Sequence, residues 1–183
     1  KLARGATGRK EIISFAGASH GQTGFALSAS DNESRHDVFG PMIPHMRRIP
    51  LDTDSLRSSV TGKTAAVIVE PVQSDAGVVF PPNDLLSEAR KVCDRNGAAL
   101  VIDEGQTAFG RTGKLFACEH SHVVPDILVE ETANGSTGQR LREADLEHHL
   151  TNDKEKDAAA PAKDTPVKPQ SKTPVKPKTG NGK

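Results

Sequence analysis

The stretch Val101-Ile-Asp-Glu-Gly-Gln-Thr-Ala-Phe-Gly-Arg-Thr-Gly113 decides the fold class of this chain. It completes the apolar run 98–102, places two carboxylates directly after that run, and continues into a glycine-containing loop. A short apolar run bounded in this way predicts a buried strand of an α/β protein. Such folds bind ligands at the carboxyl ends of their strands, so we expect Asp103 to face a crevice with the amide of Gln106 nearby.

A second apolar run lies earlier in the chain, and a helix is predicted between the two. Residues 64–70 predict a buried strand that also ends on a carboxylate, Glu70. Residues 85–95 have apolar side chains at helical spacing. Strand, helix and strand predict a right-handed βαβ unit with parallel strands, which places Glu70 and Asp103 at one edge of the sheet. The helix is expected to begin and end at residues typical of helix caps: Asn83 or Asp84, and Gly97.

The part of the chain before residue 64 is less regular. Residues 11–15 predict a short buried strand, followed by a loop that contains Ser19 and His20. Residues 28–50 are polar and contain three prolines, which predicts irregular structure without a long helix. Residues 51–60 predict one or two helical turns.

The last fifty residues differ in composition from the rest. Residues 130–150 are polar, and 139–150 predict a weak helix. Residues 151–183 hold eight Lys and four acidic residues, and the pentapeptide Thr-Pro-Val-Lys-Pro occurs at 165–169 and at 173–177. A segment with so little apolar surface to bury is predicted to be a disordered tail. We therefore divide the chain into a domain at 1–129, a separate segment at 130–150, and the tail at 151–183.

Composition excludes several classes of protein. The basic tail has no aromatic residue to stack on a base, so no nucleic-acid partner is expected. No apolar run approaches the roughly 20 residues of a membrane helix, and no signal peptide is visible. Two cysteines are too few for a disulfide framework, which favours an intracellular location. The cytoplasm is our expectation, with the mitochondrion left open because the chain begins at Lys1 and reads as a fragment.

Each polar residue also has a simpler interpretation. Asp103 and Glu104 could hold a metal after a nucleotide-binding strand, but the P-loop pattern fails because Arg57 stands where its first glycine is required. The pair could equally be a solvated strand end. His20 could be an ordinary loop residue, and Glu70 an ordinary strand terminus. We predict no metal site.

Several motifs resemble those of one enzyme family and occur in that family's order: residues 7–15, 19–23, 65–73, 98–113, 115–119 and 125–127. On these motifs the chain is similar to part of a class III aminotransferase, a pyridoxal-phosphate-dependent family that includes ornithine, acetylornithine and 4-aminobutyrate aminotransferases and dialkylglycine decarboxylase. The resemblance implies an α/β fold, part of a fold-type I large domain with a mainly parallel sheet.

The resemblance also implies roles for individual residues. Asp103 would pair with the pyridine nitrogen of pyridoxal 5'-phosphate, and Gln106 would bond the ring hydroxyl. His20 and Ser19 would lie beside the face of the ring, and Glu70 would line the substrate side. The implied substrates are an amino acid or amine and a 2-oxo acid, and the implied assembly is a homodimer or a heterodimer.

Departures from the family's pattern predict that the chain alone is inactive. The family usually has an aromatic residue at Ser19, and its phosphate-binding loop would lie just before Lys1. The lysine that binds the cofactor covalently is expected at Thr132, and the next lysine in the chain is Lys154. A threonine hydroxyl cannot replace that amine. Two alternatives stay open: a partial product of a working enzyme, or a non-catalytic protein that pairs with an intact homologue and carries a proline-rich linker.

Overall fold

The computed structural model describes residues 1–132 and 135–139, with the backbone alone from residue 131 onward. In this part of the chain one sheet contains six strands: β1 Glu11–Phe15, β2 Met46–Ile49, β3 Thr64–Val69, β4 Ala99–Asp103, β5 Ile127–Thr132 and β6 Gly135–Gln139. The helices are α1 Leu2–Thr7, α2 Gly24–Ala29, α3 Glu33–Phe39, α4 Thr53–Ser59 and α5 Leu85–Asn96, with a 3₁₀ helix at Ala117–Ser121.

The sheet is mainly parallel, as the sequence predicts. Its strand order is β2-β1-β3-β4-β5-β6; the first four pairs are parallel and the β5–β6 pair is antiparallel. From β1 the chain moves to β2 on one side, and from β2 it crosses to β3 on the other. Parallel sheets whose strand order reverses in this way open a crevice at the carboxyl ends of the strands on either side of the reversal.

The predicted βαβ unit is present. β3 and β4 pair in parallel, with Val67 opposite Leu100, and α5 packs against both strands. The helix ends at Gly97, whose φ of 62° is the left-handed conformation that glycine adopts without strain. Its start also agrees with the prediction, because Asp84 is the N-cap residue. The Asp84 side chain makes no capping hydrogen bond, and the Asp84 carbonyl accepts from the Glu88 N–H.

Two segments contain more regular structure than the sequence predicts. Residues 28–50 include α3 and the edge strand β2 instead of being irregular throughout. Strands β5 and β6 pair with each other in antiparallel orientation, so the described part of the segment expected to begin at 130 continues the sheet. The helix predicted over 139–150 is wrong at Gln139, which ends β6, and its remainder lies outside the described residues, as does the predicted tail.

The main core lies on the face of the sheet that α4 and α5 cover. It includes Phe15, Leu56, Leu100 and Ile102, each fully buried. The helical turns predicted over 51–60 are α4, whose first turn is capped by Asp52 Oδ1, 2.6 Å from the Ser55 nitrogen. The opposite face has a smaller core beside α1, in which Ala66 and Val101 are buried.

The guanidinium of Arg9 connects the start of β3 to the carboxyl end of α5. Its Nη1 donates to three backbone carbonyls: those of Thr64 at 3.0 Å, Asn96 at 2.7 Å and Gly97 at 2.9 Å. One side chain thereby ties the chain before β1 to the start of β3 and to the end of α5. None of the helices in the described residues has the length and apolar character to cross a membrane.

Candidate functional site

Asp103, the last residue of β4, forms the centre of the candidate site. Its Oδ1 accepts a hydrogen bond from the Gly105 N–H at 3.1 Å, and its Oδ2 lies 2.8 Å from Nδ1 of His20. The Asp103 side chain is 11% exposed. Two bonds therefore fix the orientation of a carboxylate that still reaches the surface of a cavity.

His20 is held in the loop after β1. Its backbone N–H donates to Ser30 Oγ at 2.8 Å, and its side chain is 1% exposed. Because Nδ1 faces a carboxylate, we assign the proton of the neutral ring to Nδ1, which makes Nε2 an acceptor. Nε2 is buried and has no hydrogen-bond partner among the described residues.

Glu70 follows β3 at the same edge of the sheet. Its Oε2 accepts the Ser19 N–H at 3.0 Å, and the residue is 5% exposed. Burial raises the pKa of Glu70 to about 7; the charges of Asp103 and Asp75 act in the same direction, and the Ser19 hydrogen bond and His20 oppose them. Near neutral pH the side chain of Glu70 can therefore hold or release a proton.

These side chains line one cavity of about 520 Å³ at the carboxyl ends of β1, β3, β4 and β5. The structure thus brings the five residues singled out in the sequence to one place: Ser19, His20, Glu70, Asp103 and Gln106. Gln106 is exposed. Thr132 is the terminal residue of β5, the strand that contributes Val129 to the cavity wall.

Glu104 does not share the role of its neighbour. It is fully buried, and its Oε1 and Oε2 accept the N–H groups of Cys118 at 2.8 Å and Ala117 at 3.0 Å. The hydroxyl of Thr107 also donates to Oε2. Asp103 and Glu104 therefore do not form a joint metal site, and the described residues contain no group of three or more His, Cys, Asp or Glu suited to a metal ion.

The loop before Ser19 depends on a contact that sequence reasoning missed. Nε2 of Gln73 donates to the Ala16 carbonyl at 2.9 Å. Gly17 has a φ of 77°, and a Cβ at this position would lie 2.9 Å from Oε1 of Gln73. Sequence reasoning also left Asp75 out of the predicted site, although Asp75 lines the cavity. The available signal was its position shortly after Glu70, where β3 opens into the crevice.

Comparison with known proteins connects this geometry to a family. The sequence model described as aminotransferase class-III matches residues 1–138. An uncharacterized aminotransferase of Archaeoglobus fulgidus is 44% identical over 139 residues, which are 75% of this chain and 32% of that protein. An acetylornithine aminotransferase of Methanopyrus kandleri is 45% identical over 129 residues, which are 70% of this chain and 33% of that protein.

Solved structures agree with the sequence comparison. An ornithine aminotransferase from Toxoplasma gondii, whose structure shows partial occupancy of PLP at the active site, superimposes with a TM-score of 0.63 and 33% identity. The match covers 67% of this chain and 29% of that one. The chain thus spans about a third of the length of the curated relatives it matches.

Proposed function

The chain belongs to the class III aminotransferase family, and we propose that its cavity is the part of a pyridoxal-phosphate site that holds the pyridine ring. The observation that carries this proposal is the Asp103 carboxylate, which lies in the cavity wall with its orientation fixed by His20 and Gly105. A carboxylate that is buried on one side and open to a cavity on the other is suited to bind a protonated ring nitrogen.

The surrounding residues have separate tasks in this proposal. The His20 ring, whose Nδ1 lies 2.8 Å from Oδ2 of Asp103, holds that carboxylate in an orientation that can meet the ring nitrogen. Gln106 offers an amide to the ring hydroxyl, and Glu70 lines the substrate side, where its raised pKa allows it to exchange a proton near neutrality. When bound, the cofactor's protonated ring would draw electrons from the substrate carbon.

The residues present fit the ring but not the covalent step. Neither lysine nor arginine contributes to the cavity wall in the described part of the chain. Thr132, where the family's lysine is expected, has a hydroxyl in place of the amine. We therefore propose that this chain alone binds a pyridine ring reversibly and does not transfer amino groups. Transfer between an amino acid or amine and a 2-oxo acid is the activity proposed for a class III aminotransferase that has the full length of these relatives.

A binding titration with two matched variants tests the ring-binding role. Pyridoxal phosphate is titrated into the full chain and followed by its absorbance. We expect Asp103→Asn, which keeps the shape of the side chain but removes its charge, to weaken binding about tenfold or more. Asp84→Asn removes an exposed carboxylate outside the cavity and should leave binding unchanged. Equal affinities of the wild type and Asp103→Asn would contradict the proposal.

Borohydride reduction tests the absence of a covalent bond. After reduction of the mixture, peptide mass analysis should find no specific cofactor adduct within residues 1–150. A single stoichiometric adduct on one lysine of that region would show that the chain supplies its own amine, and the inactive-fragment proposal would be abandoned.

A second candidate function is pairing with an intact homologue. The loop between β3 and α5 exposes apolar side chains, with Phe80 at 73% and Val78 at 61% exposure. Phe80 also lines a groove of about 420 Å³ together with Pro82 and Leu86. Exposed apolar surface of this kind is typical of interaction sites.

Sedimentation of the chain mixed with a full-length class III aminotransferase tests this candidate. Phe80→Ser should abolish a mixed complex. Phe39→Ser, which changes an equally prominent phenylalanine on α3 (65% exposed), should preserve it. No mixed complex with the wild-type chain, or equal complexes with both variants, would exclude this function.

A further inference from the structure

The cavity at the carboxyl ends of the strands has more acidic than basic side chains in its wall. Three carboxyl groups belong to it, those of Glu70, Asp75 and Asp103, and the imidazole of His20 is the basic group among its lining residues in the described chain. The carboxylates are close enough to influence one another, because the charges of Asp75 and Asp103 both disfavour ionisation of Glu70. Such a wall attracts cations and repels anions.

Hydrogen-bonding chemistry adds a second, independent preference. In the neutral form of His20 with its proton on Nδ1, facing Asp103, the buried Nε2 is an acceptor without a partner in the described residues. The carboxylates are acceptors as well. A ligand with N–H donors would satisfy these atoms, and an oxyanion would not.

Three cations of neighbouring elements lie outside the wall of this cavity: Lys1, Arg4 and Arg35, the last of which lines another adjoining cavity together with Asp75. Lys1 lines an adjoining cavity that also contacts His20 and Asp103, and its Nζ lies 5.6 Å from the centroid of the Phe25 ring. Arg4 lies over the same ring at 5.1 Å and donates to the Pro44 carbonyl at 2.7 Å. These contacts hold both side chains, and neither belongs to the wall of the acidic cavity.

We infer that this cavity selects a small organic cation, a pyridinium or protonated amine without a phosphate group, over its phosphorylated counterpart. This selectivity rests on the proposed ring-binding function and specifies, in addition, that the preferred ligand is a cation without a phosphate group. In the described residues the cavity wall offers a partner for the ring nitrogen and for an amine, but it offers no cationic side chain for a phosphate dianion.

Pyridoxamine and pyridoxamine 5'-phosphate form a matched pair of probes, because they differ only in the phosphate. Ligand fluorescence can be read without interference, since the chain contains neither Trp nor Tyr. At low ionic strength and neutral pH we expect the full chain to bind pyridoxamine at least tenfold more tightly. Asp75→Asn should reduce this ratio about threefold, and the exposed Asp84→Asn should not change it. Added salt should also reduce the ratio, because it screens repulsion.

The outcomes separate this inference from the proposed function. If the phosphorylated probe binds equally well or more tightly, the selectivity for an unphosphorylated cation is wrong, and the ring-binding role of Asp103 stands. If neither probe binds while circular dichroism shows a folded chain, both are wrong. A ratio that is unaffected by Asp75→Asn and by salt would also overturn the electrostatic argument.

Discussion

Replacing Glu70 by Gln should change how the stability of the domain depends on pH. Gln keeps an oxygen that can accept the Ser19 N–H, which lies 3.0 Å from Oε2 of Glu70, and it removes only the titration. The pKa of Glu70 is raised from 4.5 to about 7 in the folded chain, mainly because the carboxyl group is buried. The folded state therefore binds this proton more tightly than the unfolded state does.

The sign and size of the effect follow from that difference in pKa. The stabilising contribution of the bound proton is complete below pH 4.5 and is lost as the pH rises through 7. A difference of this size between the two pKa values corresponds to a free energy of at most ~3 kcal/mol. Water in the cavity screens the group, so we expect a contribution of ~1–3 kcal/mol to the free energy of unfolding. Relative to the wild type, Glu70→Gln should therefore gain about this much free energy of unfolding between pH 5 and pH 8.

Urea denaturation at the two pH values measures this gain. Far-UV circular dichroism is the suitable signal, because the chain has no Trp or Tyr for fluorescence. Glu33→Gln, at an exposed position in the first turn of α3, is the matched control and should show no such pH dependence. If the difference between Glu70→Gln and the wild type is the same at pH 5 and pH 8, Glu70 does not titrate as the structure indicates, and its proposed proton exchange loses its support.

Three further substitutions test the framework around the site by the same denaturation measurement. Arg9→Ala removes the donor to three backbone carbonyls and should lower the free energy of unfolding by about 2 kcal/mol. Lys63→Ala, at an exposed position, is the control and should have almost no effect. Equal free energies of unfolding for the two variants would refute the structural role of Arg9. Glu104→Gln replaces a fully buried acceptor by a group that must place an NH₂ among donors, and a loss below about 1 kcal/mol would contradict the contacts described. Gly17→Ala combines a φ of 77° with a clash at Gln73 and should cost about 1–3 kcal/mol; an unchanged stability would show that this loop is freer than the structure shows.

The parts of the fold that were predictable are those in which apolar side chains are continuous. β3 and β4 are buried on both faces, so their sequences are uninterrupted apolar runs that no other element explains as well. β2 is different, because Arg47 and Arg48 occupy half of an edge strand whose stability comes from pairing with β1. Backbone hydrogen bonds to a neighbour leave no pattern in the side chains, so residues 28–50 gave no sign of a strand.

The candidate site was also predictable only in part. The positions of Glu70 and Asp103 followed from the sequence, because parallel strands bring their carboxyl ends to one edge. The His20–Asp103 contact joins residues 83 positions apart in the chain. This contact depends on the path of the loop after β1. Hydrogen bonds to Ser30 and Gln73, which tertiary packing brings near, determine that path. The cavity's acidic character likewise needs Asp75, which approaches from a different loop.

Asp103 and Glu104 are adjacent in the sequence but have different roles: Asp103 lines the cavity, and Glu104 stabilises the fold. Successive side chains at a strand end point to opposite sides, so Asp103 faces the cavity while Glu104 enters the protein. Inside, Glu104 accepts the backbone N–H groups at 117 and 118, and these bonds close the loop that starts immediately after Asp103. That loop carries Gln106, the amide proposed to bond the ring hydroxyl. Glu104 is not among the residues that line the cavity, but it fixes the position of Gln106, which is. Glu104→Gln should therefore weaken ring binding as well as lower the stability of the fold.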